Sequence, residues 1–458
     1  MNNINITFYG GVGSVTGANF LVEGNNFRFL VDCGLVQGSV GADEENKKSF
    51  EYDPGGIDYL FITHAHIDHI GRIPKLVHDG FHGTIYSTPE TKEIAELMLT
   101  DAAHIMDMES RSSGTLPLYS PHDVTTTFTL WKTIPYHSQV DIQGKFSVFL
   151  KDAGHILGSS MYIFTLGSGE GESKKILFTG DLGNSPSILL PDTEFVDDVN
   201  YIVMDSVYGD RNHESKDERD ERFKEVLLDT ITRRATLVIP AFSLERTQTI
   251  LYEINNLVEE KIIPSVPVFL DSPLAIKLTE IYKKMHVLFN ENVQRDIEGG
   301  DKIFQFPKLI ETALVQDSKK IDSAPSPKII IAGSGMSTAG RVLHHEQKYL
   351  PDKNATLLLM GYQAPGTLGR ELQEGKKEVV IKNERVEVKA RIVSIEGYSA
   401  HRDSDHLIEF VENASKGPLK KVFVTMGEPK SSLFLVQRLR DYIGIEAIFP
   451  QRKKKYLL

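Results

Sequence analysis

The sequence predicts an α/β protein of two domains: an αββα-layered domain with a parallel α/β domain inserted into it. Three observations predict this. The first 200 residues are short strands broken by glycine-rich turns. Beyond Tyr208 the rhythm changes, and apolar strands alternate with helical stretches. At the end of one early strand, four metal-binding side chains crowd into six residues.

Taken in order, Ile4–Tyr9, Asn19–Glu23, Arg28–Val31 and Tyr59–Thr63 are β-branched or aromatic runs bounded by Gly, Asn or Pro. Helical periodicity marks Glu90–Met108, and further strands fall at Ser147–Lys151, Met161–Leu166, Lys175–Phe178 and Tyr201–Met204. Ser215 and Glu218 form a capping box before a charged helix with the apolar stripe Phe223, Val226, Leu227 and Ile231. Strands at Thr236–Ile239, Val266–Leu270, Lys328–Ala332 and Thr356–Met360 each run into a loop and then a helix, the pattern of a parallel sheet. The predicted division is residues 1–208 for the first part of the layered domain, 209–389 for the insert, and 390–458 for the completing part. Strands Arg391–Ile395 and Val422–Met426 and helices Ser404–Asn413 and Ser431–Tyr442 are expected to complete the first domain.

Composition narrows the function classes. The chain has 458 residues, 40% of them hydrophobic, yet no apolar run approaches the roughly 18 residues of a membrane span. Its start, Met1-Asn2-Asn3-Ile4-Asn5, lacks the basic flank and apolar stretch of a signal peptide, so a cytoplasmic protein is expected. Cys33 is the only cysteine, which rules out an intrachain disulfide and a thiolate-rich metal site. The net charge of −12 argues weakly against a nucleic-acid partner, because local metal ions and the placement of basic groups decide binding. The basic tail Arg452-Lys453-Lys454-Lys455 reads as a solvated terminus.

The strongest signal is Thr63-His64-Ala65-His66-Ile67-Asp68-His69. In extended backbone, alternate residues face one way, so His64, His66 and Asp68 converge while His69 turns inward as a helix begins. So many polar groups at a strand end are costly to bury without a partner, and a metal supplies one. His155, in Asp152-Ala153-Gly154-His155, and Asp181, in Thr179-Gly180-Asp181, sit at other strand ends where further ligands belong. Asp32 ends the strand before Cys33 and is placed to orient a ligating imidazole.

These ordered motifs resemble those of metallo-β-lactamase-fold hydrolases, and the insert resembles their β-CASP nucleic-acid-processing branch. The chain looks most like bacterial ribonucleases related to the cleavage-and-polyadenylation endonuclease. The likeness extends through Gly10–Asn19, Asp32-Cys33-Gly34, Pro240-Ala241-Phe242, Asp271-Ser272-Pro273, Gly369-Arg370 and Gly397-Tyr398-Ser399-Ala400-His401. It implies an αββα metallo-β-lactamase fold with an inserted parallel β-CASP domain. It also implies two zinc ions, one on His64, His66 and His155, the other on Asp68 and His69, with Asp181 bridging. Asp205, where the family more often has Glu, falls on the acidic motif beside the site, and His401 on the branch's histidine motif. One departure stands out: the segment Val424-Thr425-Met426-Gly427-Glu428 has Met where the RNA-processing branch has a further ligating His. A thioether is a poor zinc ligand, so the second site is weakened unless Glu428 or water substitutes.

The expected activity is zinc-dependent cleavage of RNA, endonucleolytic or 5′-exonucleolytic, by a hydroxide bridging the metals. Asp68 holds or accepts its proton, and His401 protonates the leaving 3′-oxygen or braces the phosphate. Asp403 is expected to cap the following helix. The insert is expected to hold the strand. Its Gly333–Arg341 loop offers Ser334, Ser337 and Arg341 to phosphate, with Arg246 and Arg370 as further contacts; a structural turn or an internal ion pair is the competing reading of each. RNA is the expected partner, no membrane is, and a homodimer is the candidate assembly. Three alternatives stand beside this: a hydrolase of lactams or thioesters, a DNA nuclease (whose repair branch also has an apolar residue at the Met426 position), and a non-catalytic RNA-binding scaffold. The long insert and His401 disfavour the first; the early glycine motif and Gly397–His401 favour RNA over DNA; the retained ligands disfavour the scaffold.

Overall fold

The computed structural model describes residues 4–38, 41–167 and 173–458. Residues 1–3, where the absence of a signal peptide was read, lie outside them. Two compact units emerge from the chain's own contacts: one from 1–37, 41–212 and 401–458, the other from 38–40 and 213–400.

The first unit is built on two seven-stranded sheets. One runs Lys455–Leu457, Asn5–Phe8, Phe20–Glu23, Arg28–Val31, Tyr59–Phe61, Thr84–Ser87, Trp131–Thr133. The other runs Glu446–Ile448, Lys421–Val424, Tyr201–Met204, Lys174–Phe178, Ser160–Leu166, Phe146–Asp152, Gln139–Ile142. Each sheet is antiparallel in one half and parallel in the other. Their inner faces are aromatic: Phe8, Phe20, Phe29 and Phe61 from the first sheet meet Phe146, Tyr162, Phe164 and Phe178 from the second. Phe29 lies 4.5 Å from Phe164 and 5.1 Å from Phe146, ring centre to ring centre. Burying such a ring contributes roughly 1.5–3 kcal/mol each. The second sheet's outer face is covered by helices Ser404–Ala414 and Pro429–Arg438 through Leu407, Phe410, Val411 and Leu435. Helix Pro89–Ser113 touches the first sheet at Trp131–Thr133. Helices thus flank a two-sheet core, the αββα layering.

The basic residues Arg452 to Lys455 are exposed, as expected, but the tail also carries structure. Lys455–Leu457 is an edge strand, antiparallel to Asn5–Phe8 with Ile6 opposite Tyr456. Arg452 pairs with Glu45, Lys453 with Glu51 and Lys455 with Glu23. An edge strand needs only one apolar face, and lysines on its rim are how sheets blunt an open edge.

The second unit has one six-stranded, fully parallel sheet in the order Leu309–Glu311, Val268–Asp271, Lys328–Ala332, Thr236–Pro240, Ala355–Met360, Arg391–Ile395. Its central strands are buried throughout. The Ser215–Glu218 capping box opens helix Lys216–Thr232 as expected, with Phe223, Val226 and Leu227 inward. Arg391–Ile395 is a correction: it pairs with Ala355–Met360, not with the first unit's sheets, and the chain returns to the first unit at His401 rather than near residue 390. An apolar strand pattern specifies burial and not a hydrogen-bonding neighbour, so the sequence left that choice open. No helix among the described residues is long and apolar enough to cross a membrane.

Candidate metal centre

Strand Tyr59–Phe61 stops two residues before the histidine cluster, so strand alternation is not what gathers the ligands. A bend at Thr63 precedes the buried His64, and a single helical turn, Ile67–Ile70, presents Asp68 and His69. Backbone N–H groups of His69 and Ile70 close that turn on the His66 carbonyl at 2.9 and 3.1 Å. His155 arrives on a loop after strand Phe146–Asp152, where its N–H donates to Ser159 Oγ at 3.0 Å. Asp181 follows strand Lys174–Phe178 through Gly180, whose φ of +56° and 2.7 Å clearance to Thr63 Cβ leave no room for a side chain.

These elements bring His64, His66, His155 and Asp181 together, with donor atoms all within 4.8 Å of one another. His66 Nδ1 lies 3.1 Å from His64 Nε2 and 3.2 Å from His155 Nε2. Asp181 Oδ2 lies 3.5 Å from His64 Nε2 and 3.6 Å from His155 Nε2. A tetrahedral ion with ligands at about 2.0–2.1 Å has ligand–ligand edges of about 3.3–3.4 Å, so the group has the size of a zinc site. Beside it, His69 Nε2 faces Asp181 Oδ2 at 3.5 Å and Asp68 Oδ2 at 3.9 Å. That nitrogen is buried and has no hydrogen-bond partner, as expected of an atom meant for a cation. Asp32 is fully buried, and its Oδ2 lies 2.7 Å from His69 Nδ1.

The electrostatics divide the ligands. Burial, then the neighbouring imidazoles, holds His64 and His66 well below the usual histidine range, so both are neutral near pH 7. Burial also acts to lower His69, but the carboxylates of Asp181, Asp32 and Asp68 outweigh it and hold it well above that range. Burial alone would raise Asp181, yet His69, His401 and His64 keep it well below the carboxylate range. Asp68 is raised by burial.

Comparison with known proteins accounts for this arrangement. Residues 13–232 match the metallo-beta-lactamase superfamily, 247–372 the Beta-Casp domain, and 385–450 the Zn-dependent metallo-hydrolase RNA specificity domain. Ribonuclease TTHA0252 of Thermus thermophilus is 32% identical over 427 residues, covering 93% of this chain and 94% of that protein. The chain belongs to the β-CASP metallo-beta-lactamase family. Transcription termination factor FttA of Methanosarcina mazei is 30% identical over 463 residues, 97% of this chain and 70% of its own length. A crystal structure of a protein of unknown function from Enterococcus faecalis V583 aligns over the full length of both chains at 13% identity and a TM-score of 0.56, a likeness of fold alone.

In this β-CASP chain, a second group of converging side chains is Asp181, Asp205 and His401. His401 Nδ1 is 3.5 Å from Asp205 Oδ2 and 3.9 Å from Asp181 Oδ2. Burial pushes the Asp205 carboxyl up to about 6, against the pull of His401. Burial would lower His401, but Asp181 and Asp205 raise it instead. Asp403 caps helix Ser404–Ala414, its Oδ1 accepting from the His406 N–H at 3.2 Å. Met426 is buried in the aromatic core, its φ at +47° and its N–H donating to the Gly11 carbonyl at 2.6 Å. Glu428, the substitute ligand considered from sequence, stands at the start of helix Pro429–Arg438 and lies outside both converging groups. Cys33 is buried, with its thiol pushed up to about 12 by burial, and its backbone N–H donates to the His69 carbonyl.

In the second unit, the five expected substrate contacts are used differently. Arg341 is held by Asp271 Oδ1 at 2.7 Å and by the carbonyls of Thr312 and Ala313. Ser337 is buried and donates to Glu346. Arg246 is buried and donates to the Met360 carbonyl at 2.6 Å. These three work inside the unit, because a guanidinium or hydroxyl near a buried acceptor satisfies it before any ligand arrives. Ser334 is half-buried, its Oγ accepting from the Thr338 N–H at 2.9 Å, and Arg370 is 39% exposed and paired with Glu374. Sequence reasoning missed Thr63, which touches Asp32 and His64; its place between an apolar strand and the histidines was the only signal.

Proposed function

We propose that this protein hydrolyses RNA phosphodiester bonds with two zinc ions, held by His64, His66, His155 and Asp181 and by Asp68, His69 and Asp181. The observation that carries the reading is the convergence of the first four donors, all within 4.8 Å of one another and 3.1–3.6 Å apart in four of their pairs. The RNA specificity match over 385–450 and the ribonuclease relative support RNA as the substrate. When bound, divalent ions would acidify water and neutralise charge on the phosphate.

The chain's own residues do the rest. Asp68 orients the attacking water and takes its proton at a carboxylate oxygen. Water adds to phosphorus and the P–O3′ bond breaks, leaving a 5′-phosphate and a 3′-hydroxyl. His401, whose hold on a proton is strengthened by Asp181 and Asp205 against the effect of burial, gives the leaving 3′-oxygen its proton. Ser334 and Arg370 are the contacts we assign to the RNA strand, since they keep exposed surface.

The test is incubation of the zinc-loaded protein with RNA labelled at the 5′ or the 3′ end, a DNA of the same sequence, and a chromogenic lactam. Cleavage of RNA with 5′-phosphate products is expected. Turnover of the lactam alone, or no turnover and no bound zinc, would overturn the proposal.

A further inference from the structure

We infer that Thr63 is a positioning residue that fixes the tautomer of His64, so that one buried carboxylate, Asp32, prepares a ligand in each half of the metal centre. The inference rests on the metal reading above but is argued from hydrogen bonds alone. Thr63 is 1% exposed and stands where four segments meet. Its N–H donates to Asp32 Oδ1 at 2.8 Å, and its carbonyl accepts from the Ser160 N–H at 2.8 Å. Gly180, next to Asp181, packs against its side chain so closely that a Cβ there would sit 2.8 Å from Oγ1. The hydroxyl is therefore walled in.

Its proton can be assigned by elimination. Thr63 Oγ1 lies 2.8 Å from Asp32 Oδ2, and His64 Nδ1 lies 3.0 Å from the same Oγ1. A carboxylate only accepts, so the 2.8 Å contact needs the threonine's single proton. With that proton spent on Asp32, Oγ1 has only lone pairs to offer His64. The 3.0 Å contact then requires a proton on His64 Nδ1. Nε2 is left with its lone pair, and Nε2 is the atom facing His66 Nδ1 and Asp181 Oδ2. His69 is oriented directly, donating from Nδ1 to Asp32 Oδ2 at 2.7 Å, so that the proton a cation would displace is the one on the unpartnered Nε2. Asp32 thus sets His69 in one step and His64 in two, through Thr63. Outer partners that fix an imidazole's orientation typically change metal affinity 10–100-fold when removed.

The test compares Thr63→Val, which keeps the shape and loses the hydroxyl, with Thr63→Ser, which keeps the hydroxyl. Two readouts are used: nitrogen-15 NMR of the histidine rings in metal-free protein, and zinc affinity by chelator competition. In the parent and T63S, His64 should show the Nδ1–H tautomer. In T63V that signature should be lost, and zinc affinity should drop 10–100-fold while His69 keeps its Nδ1 proton. If T63V fails to fold, T63A replaces it, since the smaller side chain cannot clash. Retention of the His64 Nδ1–H signal together with unchanged zinc affinity in the variant lacking the hydroxyl would overturn the inference. A parent protein that binds no zinc but shows the His64 signal would instead sink the metal reading and leave the relay standing.

Discussion

Glu346 offers a quantitative check on the second unit. It lies on helix Val342–Tyr349, is fully buried, accepts from Ser337 through Oε1, and has no hydrogen-bond partner at Oε2. Burial pushes its carboxyl from about 4.5 up to about 8, with the Ser337 bond opposing only in part. The sign follows from proton counting: between pH 4.5 and 8 the folded chain holds a proton that the unfolded chain has released. Stability must therefore fall as pH rises through that window. At 1.36 kcal/mol per pH unit, holding the proton at pH 7 costs about 3 kcal/mol, rising towards about 5 kcal/mol above pH 8. Glu346→Gln keeps the shape and the acceptor for Ser337 and removes the titration. The variant should match the parent near pH 4.5 and exceed it by about 2–3 kcal/mol at pH 7, with part of the gain offset by the amide's unpartnered N–H. Hydrogen exchange of segment 328–349, followed from pH 5 to 8, reads this locally. Parallel pH dependences for parent and variant would refute the reasoning.

Other outcomes follow from the metal centre. Asp68→Ala and His69→Ala should each abolish cleavage of labelled RNA, with circular dichroism unchanged; wild-type rates in either would discard the assigned mechanism. His401→Ala should slow cleavage by about 10²–10⁴, the usual worth of a general acid, while zinc content by elemental analysis stays near the parent's. Because His64 and His66 are held neutral and His69 is held protonated, loading zinc at pH 7 should displace the His69 proton and none from His64 or His66. Calorimetry in buffers of different ionisation enthalpy should then show proton release, and the second ion should bind more weakly as pH falls; buffer-independent heats would contradict the assignment.

Legibility differed between levels. Strands Arg28–Val31, Tyr201–Met204, Lys328–Ala332 and Arg391–Ile395 were readable to the residue, because β-branched and aromatic runs bounded by turn residues leave little freedom. Short edge strands such as Lys455–Leu457 and Leu309–Glu311 were not, since three residues are too few to show an alternation and only a neighbour makes them strands.

By itself, then, the sequence determined which residue types were available for a metal and in what order they came, as well as the change from a two-sheet unit to a parallel one. Those are local properties: spacing, side-chain chemistry and apolar periodicity. Tertiary structure alone decided that His155 and Asp181 reach His64 and His66, that Met426 belongs to the aromatic core, that Arg341 serves Asp271, and that Thr63 joins Asp32 to His64. Each of these is a contact between distant segments, and which distant atoms meet is fixed by sheet register and packing, which no short stretch of chain encodes.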